Sequence, residues 1–74
     1  MANFLELLNW NEEFAFIYDK TKYEIVYEDG LSLYLSDGKR GVLIKRFYDQ
    51  EDFLYNGFID SKRICGIVDQ LIIN

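Results

Sequence analysis

The chain contains no histidine, so any acid–base or nucleophilic chemistry falls first to its carboxylates and its one thiol, Cys65. Without histidine there is no member of the commonest general-base and metal-ligand class, and no Ser–His or Cys–His pair. Glu12 and Glu13 adjoin in sequence, as do Glu51 and Asp52. Neighbours on a strand point to opposite faces, and acids at a helix start answer the helix dipole. Glu24 and Glu28 share one parity, which on a strand sets them roughly 13 Å apart at ~3.3 Å per residue. The carboxylate pair of a glycosidase lies within about 9.5 Å, so this spacing does not supply one. The run Asp49-Gln50-Glu51-Asp52 lacks the alternating acids and the glycine of a calcium loop. The five glycines stand singly, so no phosphate-cradling loop is present. Cys65 flanks an apolar stripe and reads as a buried structural thiol. The sequence therefore predicts no catalytic residue, no cofactor and no metal site.

The elements that would position these groups are written in apolar spacing. Phe14, Phe16 and Tyr18, the polar turn Asp19-Lys20-Thr21-Lys22, then Tyr23, Ile25 and Tyr27 alternate at period two, the pattern of a β-hairpin. Asp29-Gly30 signals a second tight turn before a strand Leu31–Leu35, and Ser36-Asp37-Gly38 a third before a strand from Gly41 to Tyr48. In that last strand a β-bulge would reconcile Val42 and Ile44 with Phe47 as inward residues.

Ala2–Leu8 predicts a short helix with Phe4 and Leu8 four apart, and Trp10 follows as a packing anchor. Asp49 caps a second helix carrying Phe53 and Leu54, with Gly57 as a left-handed closing residue. Ile64, Ile67, Val68 and Leu71 fall at i, i+3, i+4, i+7 and predict a last helix, in which Gly66 would permit close approach to the sheet. The expected fold is one α+β domain over residues 1–74: a short N-terminal helix, a four-stranded antiparallel meander and two C-terminal helices on one sheet face. Its expected core is Phe14, Phe16, Tyr23, Ile25, Leu33, Phe47, Phe53, Ile64, Ile67, Val68 and Leu71.

Six Phe, six Tyr and Trp10 give this 74-residue chain the apolar mass that so small a core requires. One cysteine allows no intrachain disulfide, and neither a signal-peptide pattern nor a membrane-length apolar run occurs, which points to a cytoplasmic protein.

The patterns Glu13-Phe14-x-Phe16-x-Tyr18 with Lys22-Tyr23-Glu24-Ile25, Phe47-x-x-x-Glu51-x-Phe53-Leu54 and Ile59-Asp60-x-Lys62-x-Ile64 resemble small single-domain proteins of low-GC Gram-positive bacteria and their mobile elements. The resemblance spans nearly the full length. It departs at Val68, where that group often carries tryptophan, and at Ile64, where leucine is usual. The group's function is unassigned, so the resemblance implies the fold and no chemistry.

The net charge of −5 is uneven: residues 1–37 net −6 and residues 38–74 net +1. An acidic chain is a poor general ligand for phosphate backbones. Lys45-Arg46-Phe47-Tyr48 interleaves cations with aromatics, but an edge strand protected by charge explains it without nucleic acid. An acidic decoy of a nucleic-acid enzyme is a further alternative, although the carboxylates are scattered rather than gathered. The reading carried forward is a non-catalytic protein-interaction domain, binding a protein partner or forming a weak homodimer. Its interaction face would be the uncovered side of the sheet, with Ile17, Glu24, Val26 and Tyr34 exposed there and Tyr34 as anchor.

Overall fold

The computed structural model describes residues 3–36 and 41–73. Helix α1 (Phe4–Asn9) begins at Asn3, whose Oδ1 accepts from the Glu6 N–H at 2.9 Å. Fewer than two turns long, it holds its place through tertiary packing, burying Phe4 and Leu8 on one stripe. Four strands follow: β1 (Phe14–Tyr18), β2 (Thr21–Val26), β3 (Leu31–Ser36) and β4 (Gly41–Phe47). Next come α2 (Gln50–Asn56), a two-strand ribbon of β5 (Phe58–Ile59) and β6 (Lys62–Arg63), two short 3-10 turns, and β7 (Ile72–Ile73). The α+β class with an antiparallel sheet stands. Among the described residues its sheet has five strands rather than four, in the order β4-β3-β2-β1-β7.

The hairpins are tighter than their polar stretches suggest. Asp19 and Lys20 alone join β1 to β2, both at positive φ (50° and 67°), and Asp60 and Ser61 do the same between β5 and β6 (52° and 64°). Positive φ at both central residues matches the right-handed twist of the flanking strands. Between β2 and β3, Gly30 takes φ 102°, and a Cβ there would strike the Phe47 carbonyl. The turn expected at Ser36-Asp37-Gly38 falls, for Asp37 and Gly38, outside the described residues.

The expected bulge is present but leaves its neighbours outside the core. Leu33 pairs with Lys45 and Tyr34 with Leu43, so Ile44 is the extra residue. Val42 and Ile44 are 56% and 47% exposed, because β4 is the outer strand and only its Phe47 end lies under α2. Trp10 is likewise no anchor: it is 56% exposed. Gly57 is extended (φ −91°) rather than left-handed. It is glycine because a Cβ there would meet the Phe53 carbonyl and come within 2.7 Å of Ile64 Cδ1.

The last expected helix does not form. The Ile64 N–H donates to the Gly57 carbonyl at 3.0 Å, tying it to the end of α2. Two 3-10 turns follow, with Ile67 N–H donating to Ile64 O (3.0 Å) and Gln70 N–H to Ile67 O (2.8 Å). A 3-10 turn shares the i, i+3 spacing of a helix, so Ile64, Ile67 and Leu71 still face inward while the helix is absent. Gly66 has open space beside it and approaches nothing.

The core lies on one face of the sheet. Phe16 is fully buried, stacked on Tyr23 at 5.4 Å and edge-on to Phe4 at 5.2 Å. Phe4 in turn lies 6.2 Å from Phe53, which meets Phe47 edge-on at 5.3 Å. Phe14 and Val68, expected as core, pack against it only partly buried. Phe4, Leu8, Tyr18, Leu31 and Ile59 complete it.

Phe16→Ala is expected to lose about 3–5 kcal/mol, read by urea denaturation, since it empties the centre of this cluster. Lys20→Gly and Ser61→Gly are each expected to gain about 0.5–1 kcal/mol. Each relieves roughly 1–2 kcal/mol of left-handed strain against the higher chain entropy of glycine. A melting temperature lowered by either glycine would contradict the turn geometry.

Candidate functional site

Register fixes which side chains share the face opposite the core. Leu43 (β4), Tyr34 (β3), Glu24 (β2) and Ala15 (β1) form one row across four strands. Arg46, Ser32 and Val26 form a second, and Lys22, Ile17 and Ile72 a third. All four expected residues, Ile17, Glu24, Val26 and Tyr34, are on this face and half-buried.

They do not form one continuous apolar patch. Val26 and Tyr34 are diagonal neighbours, and Leu43 extends them toward the sheet edge. Ile17 pairs instead with Ile72, and Lys22 and Glu24 lie between the two groups. Leu43 and Ile72, 40% and 64% exposed, are apolar members of the face that strand parity alone did not reveal. Leu43 shares the parity of Phe47 in the sequence and reaches the outer face only because the bulge at Ile44 lies between them, and Ile72 follows a stripe that reads as helix.

Local contacts hold the face in shape. The Tyr34 ring lies over Gly41, where a Cβ would come within 3.1 Å of Cδ2, so the aromatic covers a bare edge glycine. The Ser36 hydroxyl donates to Glu24 Oε1 at 2.8 Å, fixing the carboxylate in the middle of the sheet. Ser32 is fully buried between its cross-strand partners Val26 and Arg46, and its hydroxyl has no partner among the described residues.

A second feature lies at one end of the sheet. A cleft of about 510 Å³ opens among Asn11, Tyr27, Gly30 and the start of α2. Tyr27, Asn11, Gln50 and Asp49 in its lining are committed to structure. The Leu8 carbonyl accepts from the Tyr27 hydroxyl (2.9 Å) and from Gln50 Nε2 (2.6 Å), and Gln50 also donates to Asn11 Oδ1 at 2.8 Å. Asp49 caps α2 by accepting from the Asp52 N–H at 2.9 Å, as its position in the sequence predicts. The Asp52 carboxyl lies below the ordinary carboxylate range. The Tyr48 N–H donates to it, the Asn56 amide donates as well, and the Lys45 charge adds to the effect.

Among the described residues no group of three or more His, Cys, Asp or Glu is placed to hold a metal ion. Cys65 is half-buried rather than buried. No helix among the described residues is long and apolar enough to cross a membrane.

Burial raises the Tyr23 phenol above its ordinary value, and Asp60 and Asp19 raise it further; burial alone raises Tyr27. A raised phenol contributes stability that is whole below the ordinary value of 10.0 and lost as pH climbs through the folded value. Stability is therefore expected to fall as pH rises from 10.0 through the folded value, tracked by circular dichroism against tyrosinate absorbance, and Tyr23→Phe should soften the fall. An unfolding profile identical in Tyr23→Phe would remove Tyr23 from that role.

No protein-family model, curated protein or solved structure matches this chain.

Proposed function

We propose that this chain is a small cytoplasmic protein-interaction domain with no catalysis of its own, and that it engages a protein partner through the sheet face opposite the core. One observation carries this reading: Val26, Tyr34 and Leu43 form an apolar cluster on that face, and it runs out to the open edge of the sheet. Lys22, Glu24 and Arg46 surround it with charge, the arrangement of an interface whose centre is apolar and whose rim is polar. A homodimer would use the same residues. A nucleic-acid role draws support only from the cations near β4.

Capture of a partner from native cytoplasm by the tagged protein, compared with Tyr34→Glu and Leu43→Glu, tests the reading. A charge placed in the cluster centre is expected to weaken capture at least tenfold, about 1.4 kcal/mol or more. Far-ultraviolet circular dichroism should stay unchanged, since neither side chain belongs to the core. A partner held equally well by both variants would exclude this face. Sedimentation of the purified protein at low and high micromolar concentration separates self-association from a foreign partner.

A further inference from the structure

We infer that the open edge of β4 accepts an extended, acidic peptide segment of a partner protein as an added strand of the sheet. The inference rests on the interaction-domain reading above and names the partner's chemistry and geometry.

The two edges of the sheet differ. On one side β1 is covered by β7, through Ile17 with Ile72 and Phe16 with Ile73. On the other side β4 pairs with β3 and, among the described residues, with no further strand. An edge strand of seven residues presents a row of backbone donors and acceptors suited to an incoming strand. Its middle is apolar and uncovered: Val42, Leu43 and Ile44 each keep 40% or more of their surface exposed.

Charge selects the occupant. Residues 38–46 contain Lys39, Arg40, Lys45 and Arg46 and no acid, so the rest of a chain of net −5 nets −9. Within β4, Lys45 lies opposite Leu33 on the core side of the sheet and Arg46 opposite Ser32 on the outer side. One cation therefore stands on each face at the same end of the strand. A strand laid beside β4 alternates its side chains between the same two faces, so two consecutive carboxylates would meet one cation each. Apolar residues would then follow beside Val42, Leu43 and Ile44.

A second copy is a poor occupant, because β4 contains no carboxylate to meet the Lys45 and Arg46 of its partner. Nucleic acid is disfavoured by the net charge of the remainder, although it would use the same cations.

The probe is a fluorescein-labelled peptide of alternating valine and threonine with paired glutamates at both ends. Its controls are the same peptide with lysines for glutamates, and one N-methylated at alternate residues. Anisotropy is expected to show the glutamate-flanked peptide binding at least tenfold tighter than either control, and the double variant Lys45→Glu/Arg46→Glu reversing the charge preference. The N-methyl peptide leaves the protein unaltered, so its loss of binding cannot come from misfolding. Equal binding of all three peptides, or none by any, would overturn the added-strand inference. So would single-stranded RNA displacing the glutamate peptide with a steep salt dependence, or a dimer in sedimentation that excludes it. If a native partner is lost on Tyr34→Glu but kept by Lys45→Glu/Arg46→Glu, the face reading stands and the added strand falls. If Tyr34→Glu keeps the partner, the face reading itself fails.

Discussion

A chain of aromatic rings holds this fold together: Tyr23, Phe16, Phe4, Phe53 and Phe47, each within 6.2 Å of the next. These rings come from β2, β1, α1, α2 and β4, so one apolar contact path crosses the sheet and both helices. None of the covering pieces could persist alone. Helices of six and seven residues and strands of two are too short to offset their own ordering entropy. Edge-to-face and stacked rings also contribute beyond their buried area, which suits a domain with little interior volume.

Concentrating the helices on one side leaves the opposite face to be stabilised by side-chain placement alone. Tyr34 over Gly41 and the Ser36–Glu24 hydrogen bond do this with polar and aromatic contacts instead of burial. The result is a face with apolar segments divided by charge, rather than a second core. Such a surface can remain in water and still offer a site for another chain.

The sheet was legible in the sequence because alternation at period two is fixed by strand geometry and survives errors in turn length. Phe16, Tyr23, Ile25 and Leu33 could be placed inward on that ground alone. The C-terminal third was not, because i, i+3 spacing serves an α-helix and successive 3-10 turns equally. What decides between them is the hydrogen bond from Ile64 to Gly57, a tertiary fact invisible to periodicity. The candidate face was legible in part for a related reason. Parity placed Ile17, Glu24, Val26 and Tyr34 together, whereas Leu43 depended on the position of the bulge and Ile72 on a pairing 55 positions away with Ile17.

That last pairing bears on how the molecule comes into being during translation. Synthesis proceeds from the N-terminus, so β1 is made early and its outer edge stays open until residues 72 and 73 have left the ribosome. Over that interval the nascent chain exposes the row of backbone donors and acceptors that attracts neighbouring polypeptides. The brevity of β7 then has a use: two residues of strand cover the middle of β1, at Phe16 and Ile17, as soon as they emerge, without a long search for register.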